Sequence, residues 1–130
     1  MNEITGNSWK RILIVEDDEL SNKVMSLQLK KFFKIDAAVN GTHALELFKK
    51  FKYDLILMDI NLGAEKNGIE VMKEIKATER GKNIPVVAIT AYPHFTDRVI
   101  FLKSGFDSYI SRPWSADNLI KCITDTLKDR

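Results

Sequence analysis

Three observations predict an open, doubly wound α/β sandwich built on a parallel sheet. Short β-branched runs alternate five times with longer stretches at helical spacing. The runs Leu13-Ile14-Val15, Leu55-Ile56-Leu57-Met58 and Val86-Val87-Ala88-Ile89 are apolar at consecutive positions, as strands covered by helices on both faces require. The chain has 130 residues, 45% of them apolar and 29% charged, enough for one buried core and too few for a second domain of similar size.

Residues 1–8 are polar, lack periodicity and contain Gly6, so they read as a flexible tail, with the folded domain spanning residues 9–130. The first strand is expected over Arg11 to Val15, followed by a helix carrying Leu20, Val24 and Leu27 with Met25, Leu29 and Phe32. Ile35 to Val39 is the second strand. Asn40-Gly41 opens a second helix, marked by Ala44, Leu45, Phe48 and Phe51. Asp54 to Ile60 forms the third strand, and Ile69, Met72 and Ile75 mark the third helix. Ile84 to Thr90 is the fourth strand, and Phe95, Val99 and Leu102 mark a fourth helix that Gly105 closes. Ser108 to Ser111 completes the strands. Leu119, Ile120, Ile123 and Leu127 form the last helix, with Ser115, Asp117 and Asn118 available to cap it.

Basic and acidic residues, 20 and 18, are scattered along the chain, so no field of one sign is available to hold a nucleic acid. The apolar runs are too short to cross a bilayer, and no secretory leader opens the chain. The lone Cys122 cannot form an internal disulfide, and together these features point to a cytoplasmic protein. Cys122, between Ile120 and Ile123, reads as a packing residue; His43 and His94 have no companions at catalytic spacing.

Open parallel sheets bind ligands beyond the carboxyl ends of their strands, and those ends are polar here. The first strand ends in Glu16, Asp17 and Asp18, the third in Asp59 followed by Asn61, and the fourth in Thr90; the fifth leads into Arg112-Pro113. An isolated acidic pair at a strand end usually only caps the next helix, a role open to Asp18 or Ser21. If the first and third strands are neighbours, however, Glu16, Asp17 and Asp59 converge, and their mutual repulsion calls for a cation. Oxygen donors without Cys or His favour Mg²⁺ or Mn²⁺ over zinc.

The segments Ile14 to Asp18, Leu57 to Asn61, Ile89 to Ala91 and Gly105 to Pro113 resemble, in order and spacing, the landmarks of response regulator receiver domains. The likeness runs from residue 10 to residue 128. It implies the flavodoxin-like strand order 2-1-3-4-5. It also implies that Asp59 accepts a phosphoryl group from a phosphohistidine, with Asp17, Asp59 and the main-chain carbonyl of Asn61 on Mg²⁺ and Glu16 acting through water. Thr90 would bind a phosphoryl oxygen, Tyr109 would swing inward as the switch, and Asn61 and Tyr92 would set the lifetime of the phosphorylated state. A cis peptide is implied at Arg112-Pro113. The implied partners are a sensor histidine kinase or phosphotransfer protein and a downstream protein meeting the face of helix 4, strand 5 and helix 5. Such a chain is a signalling switch rather than an enzyme, apart from transfer to its own Asp59 and autodephosphorylation.

Two features depart from the family pattern. Arg112 stands where a lysine is usual, and the loop from Ile60 to Gly68 is one residue longer than the commonest version, with Gly63 in place of proline. The alternative to a phosphorylated switch is a pseudo-receiver, in which Arg112 pairs permanently with Asp59 and the chain serves as a constitutive interaction module. A metal-dependent phosphatase ranks last, because Asn61 stands where a second aspartate would be needed.

Overall fold

The computed structural model describes residues 9–62, 67–91 and 95–128 of the chain; the expected tail, Gly63, Tyr92 and His94 lie outside the described residues. Five βα units follow one another: β1 (Arg11–Val15), α1 (Glu19–Leu29), β2 (Lys34–Ala38), α2 (Gly41–Lys50), β3 (Leu55–Asp59), α3 (Gly68–Lys76), β4 (Val86–Thr90), α4 (Phe95–Ser104), β5 (Ser108–Ser111) and α5 (Ala116–Lys128). The strands form one parallel sheet in the order β2-β1-β3-β4-β5.

Side chains alternate across this sheet and build a core on each face. Leu13, Val15, Ile56 and Met58 meet Ala44 and Phe48 of α2 and Val71, Met72 and Ile75 of α3. Ile12, Ile14, Leu55 and Leu57 meet Met25 and Leu29 of α1 and Leu119 and Ile123 of α5. β3 and β4 are buried along their whole length, which explains their continuous apolar sequence.

Helix starts follow the local chemistry. Asp18 accepts from the Ser21 N–H at 2.8 Å, Asn40 from the His43 N–H at 2.8 Å, and Ser115 from the Asn118 N–H at 3.1 Å. At α3, Asn67 and Glu70 exchange side-chain to backbone hydrogen bonds in a full capping box. Gly105 ends the α4 segment at φ 123°, a conformation that a side chain would strain.

Several boundaries differ from the sequence expectation, among them β3, which runs from Leu55 to Asp59 rather than from Asp54 to Ile60. β2 begins at Lys34 and ends at Ala38, because its pairing with β1 starts at Arg11 opposite Lys34. β4 starts at Val86, after Pro85, which has no N–H to give to a ladder. α1 stops at Leu29, so Phe32 lies beyond it.

Only part of the expected apolar set of α1 is buried: Met25 and Leu29 enter the core together with Asn22, whereas Leu20, Val24 and Leu27 are exposed. A buried asparagine sits on the face that the apolar pattern reserved for hydrophobes.

Candidate functional site

Sheet register brings the polar strand ends together. Val15 pairs with Met58, so Glu16 and Asp59 are the next residues out on adjacent strands. Asp59 pairs with Ile89, and Thr90 pairs with Ser111, which places Thr90 and Arg112 at the same carboxyl edge. Arg112 is tied there by its backbone N–H, which donates to the Thr90 carbonyl at 2.9 Å.

Each acid has its own support. Glu16 and Asp59 are buried, whereas Asp17 is exposed. The Asp18 N–H donates to Glu16 Oε2 at 3.2 Å, and the Asn61 N–H donates to Asp59 Oδ1 at 3.0 Å. Asn22 explains its own burial: its amide nitrogen donates to the carbonyls of Glu16 at 2.9 Å and Ala38 at 3.1 Å, pinning the end of β1 to its neighbour. On the other side, a Cβ on Gly68 would fall 2.1 Å from the Asp59 carbonyl oxygen, so only glycine allows α3 to start this close to the site. The Gly68 N–H donates to the Ile60 carbonyl at 2.9 Å.

One carboxylate oxygen from each of Glu16, Asp17 and Asp59 lies within 4.8 Å of the others. Burial, followed by a hydrogen bond shared with Glu16, pushes the Asp59 carboxyl up to about 7, against the opposing pull of the Asn61 N–H and the Arg112 charge. Asp17 is also raised, by partial loss of hydration and then by the Glu16 charge. Three carboxylates gathered this closely, all oxygen donors with one open to solvent, fit a hard divalent cation that keeps part of its water shell.

Arg112 enters this cluster from β5. Its Nη2 donates to Glu16 Oε1 and stands 3.6 Å from Asp59 Oδ2, while Nη1 lies 3.4 Å from Ser21 Oγ. The guanidinium carbon is 5.2 Å from the Trp114 ring centroid, and the indole N–H donates to Gln28 Oε1 at 3.3 Å. The Arg112-Pro113 peptide is cis.

Thr90 is buried at the edge of the pocket, and Tyr109 is half-buried against the α2/α3 core. Tyr92 lies outside the described residues. Cys122 is half-buried within reach of Ser108 and the Tyr109 carbonyl, in keeping with a packing role. Sequence reasoning missed Asn22 and Gly68 as supports of the site. Asn22 could have been noticed as a polar residue in register with Met25 and Leu29. Gly68 carries no signal beyond being a glycine at a helix start.

A family model described as response regulator receiver domain matches residues 12–124. The polar-differentiation response regulators DivK of Brucella anthropi and Brucella ovis are each 37% identical over 121 residues, covering 92% of this chain and 98% of theirs. The chemotaxis response regulator CheY4 of Vibrio cholerae shares the fold, with a TM-score of 0.86 at 20% identity over 91% of this chain and 98% of its own. The receiver domain of the sensor histidine kinase PA1611 from Pseudomonas aeruginosa PAO1 has a TM-score of 0.83 at 27% identity, covering 92% of this chain and 98% of its own. That structure has a magnesium ion coordinated in its active site cleft.

Proposed function

The chain belongs to the response regulator receiver domain family, and on that premise we propose that Asp59 accepts a phosphoryl group from a phosphohistidine and thereby switches the binding of a protein partner. The observation that carries this reading is the convergence of Glu16, Asp17 and Asp59 on one sheet edge, with Thr90 and Arg112 beside them.

Asp59 Oδ1 accepts from the Asn61 N–H, and Oδ2, on the Arg112 side, would be the attacking oxygen. The Oδ2–P bond forms as the P–N bond to the donor imidazole breaks, and that electron pair leaves with the imidazole. Glu16, Asp17, Asp59 and the Asn61 carbonyl would hold Mg²⁺ or Mn²⁺, as a magnesium ion is held in the cleft of PA1611. When bound, the cation neutralises the acids and draws charge from the phosphoryl oxygens. Asp59 must be ionised to attack, and relief from Glu16 favours that form. Arg112 and the Thr90 hydroxyl would bind phosphoryl oxygens, and Asn61 and Tyr92 would influence the attacking water of dephosphorylation.

The donor would be a sensor histidine kinase or phosphotransfer protein. Movement of Thr90 and Tyr109 would pass the change to the face of α4, β5 and α5, where a downstream protein binds. Among the described residues no helix is long and apolar enough to cross a membrane.

Incubation with Mg²⁺ and acetyl phosphate, followed by weighing the intact chain, tests this reading. It predicts a gain of one phosphoryl group that Asp59→Ala abolishes. No gain, with beryllofluoride also failing to bind, favours the pseudo-receiver, whose support is the 3.6 Å approach of Arg112 to Asp59.

A further inference from the structure

Arg112 lies inside the acidic pocket rather than above it. Its guanidinium meets the buried Glu16 carboxylate, approaches Asp59 Oδ2 at 3.6 Å, has Ser21 Oγ at 3.4 Å and sits 5.2 Å from the Trp114 ring centroid. Two of its neighbours, Glu16 and Asp59, belong to the three acids whose oxygens gather within 4.8 Å. The indole beside it is anchored in turn by Gln28. A lysine at this position would place one compact ammonium near the acids, with no second donor arm toward Ser21 and no plane to lie on Trp114. The arginine is therefore held by more contacts than its charge alone requires.

We infer that Arg112 is the pocket's built-in counter-ion, competing with the divalent cation for Glu16 and Asp59, so that metal affinity is set by how firmly the guanidinium is held. The inference rests on reading Glu16, Asp17 and Asp59 as a cation site. Metal entry then requires Nη2 to leave Glu16, and the guanidinium shifts against Trp114 as it goes. Arg112 is in this sense a positioning and specificity residue. It sets the cation concentration at which the domain becomes competent to receive a phosphoryl group.

The test uses the full chain carrying Trp9→Phe, which leaves Trp114 as its sole tryptophan. Mg²⁺ and Mn²⁺ are titrated by calorimetry and by Trp114 emission in this parent, in Arg112→Lys and in Arg112→Gln, with circular dichroism to verify folding. The dissociation constant is expected to fall about tenfold in Arg112→Lys, which keeps the charge, and further in Arg112→Gln. Trp114 emission in the parent should change in step with saturation, and much less in either variant. Arg112→Lys binding within about a factor of two of the parent, or saturation of the parent without a change in Trp114 emission, overturns the inference and leaves the cation site intact. Absence of binding in all three proteins overturns the cation site as well.

Discussion

In the unfolded chain Asp59 titrates as an ordinary aspartate near pH 4, whereas in the fold burial and the hydrogen bond with Glu16 raise it to about 7. Between those two values the native state holds more protons than the unfolded one, so this group's contribution to stability is complete below about pH 4 and is lost as pH rises through about 7. Without divalent cation, Asp59→Asn should therefore be more stable than the parent at pH 8, and the gap should close toward pH 4. Urea denaturation across that pH range in the presence of a chelator measures it; a gap independent of pH would contradict the assignment. Asn22 makes a second prediction at this scale. Asn22→Leu removes both donors to the Glu16 and Ala38 carbonyls and should cost about 1–3 kcal/mol, read from the same denaturation curves. The partners of Asn22 and Arg112 were not legible in the chain. Arg112 meets Glu16 across 96 positions, and contacts that distant leave no local pattern. The resemblance placed Arg112 at the pocket's edge, but nothing in the residues themselves assigned its closest contact to Glu16 rather than Asp59.

Among the elements, the strands were the most legible, because burial on both faces demands consecutive apolar residues and that demand is written directly into β1, β3 and β4. α1 was harder. Its sequence offers two apolar sets at the same i, i+4, i+7 spacing, and one of them, Leu20, Val24 and Leu27, faces solvent. Hydrogen bonding decides between them: Asn22 must reach the end of β1, and Met25 and Leu29 follow it into the core. Leu20→Ser, Val24→Ser and Leu27→Ser should each change stability by no more than about 0.5 kcal/mol. Met25→Ala should cost about 2–5 kcal/mol. The paired denaturation experiments would contradict the observed orientation if that order were reversed. α3 depends on a local contact: Asn67 and Glu70 form a capping box, and Asn67→Ala should cost about 1 kcal/mol by thermal or chemical unfolding.

At the scale of the molecule, the strand order and register supply the site. Adjacency of β1 and β3 brings Glu16 beside Asp59, and β4 and β5 add Thr90 and Arg112 at the same edge. A phosphoryl group at Asp59 would replace the single carboxylate charge with roughly −1.5 to −2 charges beside the remaining acids. Under the proposed function the response would spread through Tyr109 on β5 and Arg112 just beyond it. The residue that carries the group can be identified chemically. Acetyl phosphate and Mg²⁺ form the phosphorylated chain, and borohydride reduction converts its acyl phosphate to homoserine, which peptide mass mapping then locates. The account predicts homoserine at position 59 and nowhere else. Homoserine at Asp17 or Asp18, or none at all in a protein shown to bind the cation, would contradict it.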